Sequence, residues 1–324
     1  MEQTGGRGAR FDERSSRNPG AFPATVRGGP SGAPSRPVAV RGGGLRAIFP
    51  RSEAFPPPGP AGRRIRGAGW AWDHSCLRHA AMRTLVYLTC FADPAYAEAA
   101  RLCIASLRGK GRYEGDIAVL TDGVFPERTP GATVVRMPRP SDAFDLRCMK
   151  HRAGRILDVS AYDRVLWVDC DVIAIREVAP LFEFCRRGLS AGDEYPFNTL
   201  RAPSVGGCLT WWERILFGRR WGVNAGIFCV EARLLRPYLD LWLEEVLRYR
   251  ARADRWIDQP PLNALIARRR IDFTPYPRGW IEMPPLYEYL GRGRRFVLPP
   301  ETRLLHYCGI PDKQETLRRM RAHS

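Results

Sequence analysis

Lysine is almost missing from this sequence: only Lys110, Lys150 and Lys313 occur among 51 basic residues, and arginine supplies the rest. Long hydrophobic runs are missing too. No stretch approaches the roughly 18 apolar residues of a membrane-spanning helix, so none is expected. The opening MEQTGGRGARFDERSS has no apolar core, which argues against a secretory leader. The nine cysteines are odd in number and contain no Cys-x-x-Cys pair. A zinc site or a disulfide framework is therefore not expected, and reduced thiols in a cytoplasm fit better. Glycine-rich phosphate loops are absent as well: the first strand leads into TCFADPAY, with no cradle. That disfavours a P-loop NTPase and a dinucleotide-binding dehydrogenase, and neither HExxH nor GxSxG occurs.

The 324 residues present suffice for one large α/β domain or two small ones, with a sizeable core. The formal charge is +17, and the excess is uneven. Residues 1–82 hold 13 Arg, no Lys and 5 acids, together with 14 Gly and 10 Pro. Such a segment cannot bury enough surface to offset its ordering entropy, so it reads as a disordered Arg/Gly/Pro-rich leader. The composition changes abruptly at Met82, which reads as the true start of translation. No helix-turn-helix, RNP or zinc pattern accompanies the charge, so specific nucleic-acid binding is not expected.

From residue 83 the pattern is that of an α/β domain. Strands are expected at 84–91, 116–121, 132–137, 164–168 and 223–230, each a short apolar run rich in β-formers. Helices are expected at 96–107, 150–157, 180–185, 234–249 and 258–267. In the fourth, Leu239, Trp242, Leu243, Val246 and Leu247 form an apolar face. Strands alternating with such helices predict a single, mostly parallel, Rossmann-like sheet flanked by helices, with ligands beyond the strands' carboxyl ends.

The strongest chemical feature follows RVLWV: Asp169-Cys170-Asp171. Two carboxylates two apart project to one side of an extended chain. There they suit a hard divalent ion, which can clamp a diphosphate. A lone Asp-x-Asp arises by chance in a chain this rich in aspartate, and the other reading is a strand end turning into a polar loop.

Residues 148–182 carry Lys150, then Tyr162-Asp163-Arg164-Val165-Leu166-Trp167-Val168-Asp169-Cys170-Asp171-Val172, then Leu181-Phe182. This resembles the K…YDRVLYLDxDVLV…L-F block of glycosyltransferase family 8, which includes glycogenin, bacterial lipopolysaccharide glucosyl- and galactosyltransferases and galactinol synthases. Three further segments are similar to family blocks in the same order: Asn224-Ala225-Gly226-Ile227-Phe228, Asp258-Gln259-Pro260-Pro261-Leu262-Asn263, and His306-Tyr307-Cys308-Gly309-Ile310-Pro311-Asp312-Lys313. The last departs from the family's Pro-Trp ending, with Gln314 and Glu315 in its place. The resemblance covers roughly 83–315, leaving 316–324 as a short basic tail.

The resemblance implies a GT-A fold, a UDP-sugar donor, and transfer of glucose or galactose with retention. The acceptor would be a carbohydrate, a lipid-linked glycan or a polyol. It implies Mn²⁺, with Mg²⁺ as the alternative, held by Asp169, Asp171 and His306, since an imidazole favours Mn²⁺. Lys313 would meet the leaving diphosphate, and Gly309 would border the donor. Lys150 would approach the diphosphate or the sugar. Thr89 and Phe91 would lie near uracil and ribose. Asn224, Gly226 and Asp193 would line the donor site, and Asp258 and Gln259 would sit near the anomeric carbon. Each has a plainer reading: Asp258 as a helix cap, Gly226 as a packing glycine, Asp193 as a surface acid. Trp211, Trp212 and Trp221 read either as an acceptor loop or as core. Some bacterial relatives use basic tails against membranes, so 316–324 would give a peripheral contact at the membrane's inner face. An inverting transferase, a sugar nucleotidyltransferase and a non-enzymatic anion or nucleic-acid binder are the competing readings.

Overall fold

The computed structural model describes residues 82–250, 258–289, 296–310 and 312–324. The leader read at 1–82 lies outside the described residues except for Met82, as does the question of where translation starts.

The main layer is a seven-stranded sheet in the order β3-β2-β1-β4-β7-β6-β8. Its strands are β1 (Thr84–Cys90), β2 (Asp116–Thr121), β3 (Thr133–Arg136), β4 (Arg164–Val168), β6 (Leu189–Asp193), β7 (Val223–Glu231) and β8 (Phe273–Pro275). Only β7 runs against its neighbours; β1 pairs in parallel with both β2 and β4. A second, three-stranded sheet accompanies the expected one. It joins β5 (Val172–Ala174), β10 (Leu304–His306) and β9 (Ile281–Glu282).

The helices are α1 (Pro94–Arg108), α2 (Ala143–Ile156), α3 (Ala179–Phe184), α4 (Pro203–Gly206), α5 (Trp211–Phe217), α6 (Ala232–Arg250), α7 (Gln259–Ala267), α8 (Pro284–Tyr289) and α9 (Lys313–His323). Strand alternation divides the core in two. In β1, Leu85 and Tyr87 point to one face, where they join Trp167, Phe228 and Trp242 from β4, β7 and α6. Val86 and Leu88 point to the other, with Cys103 and Leu107 of α1 and Phe182 of α3. Both faces are covered, as a sheet of continuous apolar strands requires.

Several expectations shift. Helix α2 starts seven residues earlier than expected, because Asp142 caps it by accepting the Asp145 N–H at 2.7 Å. Phe91 falls outside β1. Leu247 is exposed, so the apolar face of α6 is narrower than the heptad pattern predicts. The tail read at 316–324 belongs to α9, whose Leu317 and Met320 are buried against Tyr307 and Ala99. Its Arg318 and Arg319 pair with Glu315, and Arg321 pairs with Glu98.

Candidate active site

Strand order reverses between β1 and β4, a switch point that opens a crevice beyond the carboxyl ends of the parallel strands. Asp169 and Asp171 leave β4 into this crevice. The backbone then brings a third group. β10 pairs antiparallel with β5, placing His306 opposite Val172, and the Tyr307 N–H donates to the Asp171 carbonyl at 3.0 Å. On the other side, the Asp169 N–H donates to the Gly226 carbonyl at 2.8 Å. Each residue of the Asp169, Asp171 and His306 trio offers a ligand atom within 4.8 Å of the others. His306 Nε2 lies 3.5 Å from Asp169 Oδ2 and 3.3 Å from Asp171 Oδ1.

This donor set fits a divalent cation. His306 is buried while both carboxylates are partly open. Asp171 Oδ1 and His306 Nδ1 are buried without a hydrogen bond. Burial raises the Asp169 carboxyl above the usual range. Burial opposes charge on His306, but Cys308, Asp171 and Asp169 outweigh it and hold the imidazole well above its ordinary value. Two carboxylates facing one imidazole leave an excess of negative charge that a proton or a metal must balance.

A second cluster converges on Glu194, a 3% exposed residue directly after β6. Its carboxylate accepts from Gln259 Nε2 at 2.5 Å, Asn198 Nδ2 at 2.6 Å and Asn224 Nδ2 at 3.4 Å. Burial raises its pKa, and these amides offset only part of the rise. Asn224 also accepts the Gly226 N–H at 2.9 Å, which ties this cluster to the trio. Asn263 locks α7 to β7 through both the N–H and the carbonyl of Val223. Sequence reading missed Glu194, and it quoted Asn263 in the block that begins at Asp258 without giving it a role. The first signal was an acid at a strand end, but two adjacent acids stand there, and a β-bulge between Ala191 and Asp193 shifts the alternation that would choose between them.

The remaining expected residues divide. Lys150 is buried, pairs with Asp258, donates to the Ala225 carbonyl at 3.1 Å, and lies over the rings of Trp242 and Trp167. Lys313 is half-exposed, pairs with Asp93 at the N-terminus of α1, and lies 4.4 Å over the Tyr96 ring. Gly309 adopts φ 78°, the left-handed region. Thr89 is half-buried, whereas the Phe91 ring is core. Asp193 lines a cavity of about 240 Å³ whose wall does not include the trio, with Arg278 3.6 Å away. Trp211 and Trp212 are 66% and 67% exposed, which overturns the core reading for both.

No family model and no curated protein matches the chain. Among solved structures, it is similar to the galactosyltransferase LgtC in complex with donor and acceptor sugar analogues, at 16% identity and a TM-score of 0.50, over 74% of this chain and 96% of that one. An active-site glutamine-to-glutamate mutant of LgtC matches at 16% identity and a TM-score of 0.51, over 74% and 95%. At this identity the likeness is one of fold: the chain has the GT-A fold, with a mostly parallel sheet flanked by helices.

Proposed function

We propose that this chain is a metal-dependent, retaining glycosyltransferase of the family 8 type, with residues 83–315 as its catalytic unit behind the leader. It would move glucose or galactose from a UDP-sugar to an acceptor hydroxyl. The observation that carries this reading is the Asp169, Asp171 and His306 trio at the switch point of a GT-A sheet.

Those three residues would hold Mn²⁺ or Mg²⁺, which when bound supplies Lewis-acid stabilisation of a leaving diphosphate. Lys313 would exchange Asp93 for the diphosphate, a point charge moving between two anions. Gln259 has a fixed orientation on this reading. The Glu194 carboxylate takes its Nε2 donor, so Oε1 is the atom left to face positive charge developing at the anomeric carbon. Lys150 would act at one remove, by holding Asp258 and the Ala225 carbonyl at the start of α7 and in β7.

Thermal melting of the full chain with UDP, Mn²⁺, both, or GDP with Mn²⁺ tests the reading. At a hundred times Kd a ligand adds about 2.7 kcal/mol, which is several degrees for a domain of this size. We expect a shift that needs UDP and Mn²⁺ together and is lost in the Asp169→Asn/Asp171→Asn variant. A folded protein that shifts with neither nucleotide overturns the reading.

A further inference from the structure

The most exposed apolar surface among the described residues is one face of α5. Trp211, Trp212, Ile215 and Leu216 are 66%, 67%, 52% and 72% exposed. They form two i, i+4 pairs and therefore share one side of a helical surface. The helix itself is firmly held. Thr210 and Glu213 form a reciprocal cap, and Arg268 clamps Glu213 at 2.7 Å while also bonding Glu245. Phe217 packs against the small cluster of Leu200, Leu209, Ala264 and Ala267. The chain thus uses a capping box, an ion-pair clamp and an anchor ring to hold two tryptophans, an isoleucine and a leucine in water.

Charge at this face has one sign. Arg201, Arg219 and Arg220 are exposed and pair with no carboxylate among the described residues, while Glu213 is already neutralised by Arg268. Arg201 lies beside Gly218, and Arg220 lies over the Phe217 ring, so the three arginines gather at the C-terminal end of α5. Four apolar side chains are far fewer than the roughly 20–30 residues a side that a stable protein interface engages. They do match what an interfacial helix presents to a bilayer: tryptophans and aliphatics at the acyl boundary, with arginines at anionic headgroups.

We propose that α5 is a membrane-docking element that inserts Trp211, Trp212, Ile215 and Leu216 into an anionic lipid surface, with Arg201, Arg219 and Arg220 on the headgroups. This goes beyond the transferase reading and does not rest on it. The helix rides on an insert between β6 and β7 whose stems close on each other: the Glu194 N–H donates to the Gly222 carbonyl at 2.7 Å, and the Gly222 N–H to the Asn198 carbonyl at 2.9 Å. The insert therefore starts at Glu194, the residue on which the candidate site's amides converge. Docking and the site share one structural unit. The arginines of α9 are no competitor for this role, because they are paired with glutamates.

The test is co-sedimentation of the full chain with phosphatidylcholine vesicles, alone and with about 30% phosphatidylglycerol. Brominated lipids in the same vesicles report tryptophan depth. We expect binding only to the anionic vesicles and quenching of tryptophan emission. Trp211→Ala/Trp212→Ala should weaken partitioning at least about tenfold, and Arg219→Glu/Arg220→Glu should weaken it likewise with unchanged melting. Trp211→Phe/Trp212→Phe should still bind but lose the quenching. Anionic-vesicle binding that is unchanged in the alanine variant overturns the proposal, since the Arg-rich leader would then carry it. Equal binding to neutral vesicles overturns it too, as does a solution dimer that dissociates in the alanine variant.

Discussion

Gly226 has no side chain because none fits. A Cβ there would lie 2.3 Å from His306 Cε1 and 2.5 Å from Asp169 Oδ2. Gly226 sits in β7, all nine of whose residues are buried, and the His306 ring it faces is 3% exposed, so the ring cannot swing away freely. Gly226→Ala should therefore leave the sheet intact, at a cost of about 1–3 kcal/mol, while displacing His306 from the two aspartates. We expect Mn²⁺ affinity, measured by calorimetry with saturating UDP, to fall at least about tenfold with an unchanged circular dichroism spectrum. Unaltered affinity would mean that the trio is not the metal site. The glycine itself was legible in the sequence, since NAGIF stands out inside an apolar strand. Its reason was not: packing glycine and ligand-site glycine are the same residue here, because what packs against it is the site. Glu194 shows the opposite case. It was visible as an acid after a strand, yet the bulge at Ala191 and Asp193 decides which of two adjacent acids turns inward.

At the scale of elements, the site depends on how α7 is pinned. Its first residue, Gln259, faces Glu194, and the preceding Asp258 is gripped by Lys150 of α2. Trp242 of α6 donates its indole N–H to the Asp258 carbonyl at 2.7 Å. Burial would raise the Asp258 carboxyl, but the Lys150 ammonium wins and its pKa is lowered. A lone member of such a pair is costly, about 3–5 kcal/mol when fully buried; Asp258 is 28% exposed, so the lower end applies. Lys150→Met should lose about 3 kcal/mol in urea unfolding, and adding Asp258→Asn should recover at least about 1 kcal/mol of it. Strictly additive losses would show that the two groups do not depend on each other. The helices bearing these residues were readable from 3.6-residue periodicity, but α2 was foreshortened because its cap hides in SDAFDL. The short α4 and α5 lie in a stretch without clear periodicity, and β5, β8 and β10 are three residues each, so none of them was readable. The second sheet, which brings His306 beside Asp171, is set by tertiary pairing; the histidine itself was legible only through its family block.

For the whole molecule, the sheet was the legible part and the charge was the misleading one. Buried strands write themselves as apolar runs, so five of the seven main-sheet strands were placed within a residue at either end. The +17 charge kept an anion binder among the competing readings, yet on the described surface many arginines are tied to carboxylates of α5, α6 and α9. Sequence counts charges but not partners. The buried titrating groups therefore matter more for stability than the net charge does, and His151 is the clearest of them. Burial, with Lys150 beside it, holds its imidazole at about 3, against 6.5 for a free histidine. The ring stands edge-on to Trp242, 4.6 Å between centroids. As pH falls below 6.5, the unfolded chain takes up a proton that the folded chain refuses, so this group removes stability at up to about 1.4 kcal/mol per pH unit until pH reaches about 3. Glu194 and Glu282 act with the opposite sign: burial raises both carboxyls, so protonating them favours the folded chain at low pH. Comparing the parent with His151→Phe cancels those terms, because both proteins carry them. The phenyl ring keeps the contact with Trp242 and takes up no proton. Between pH 7 and pH 5 the variant should gain about 2 kcal/mol on the parent, read from urea midpoints at the two pH values. A stability difference that stays constant across that interval would mean that His151 is protonated in the fold, and that the Lys150 and Asp258 pair shares its pocket with a third charge.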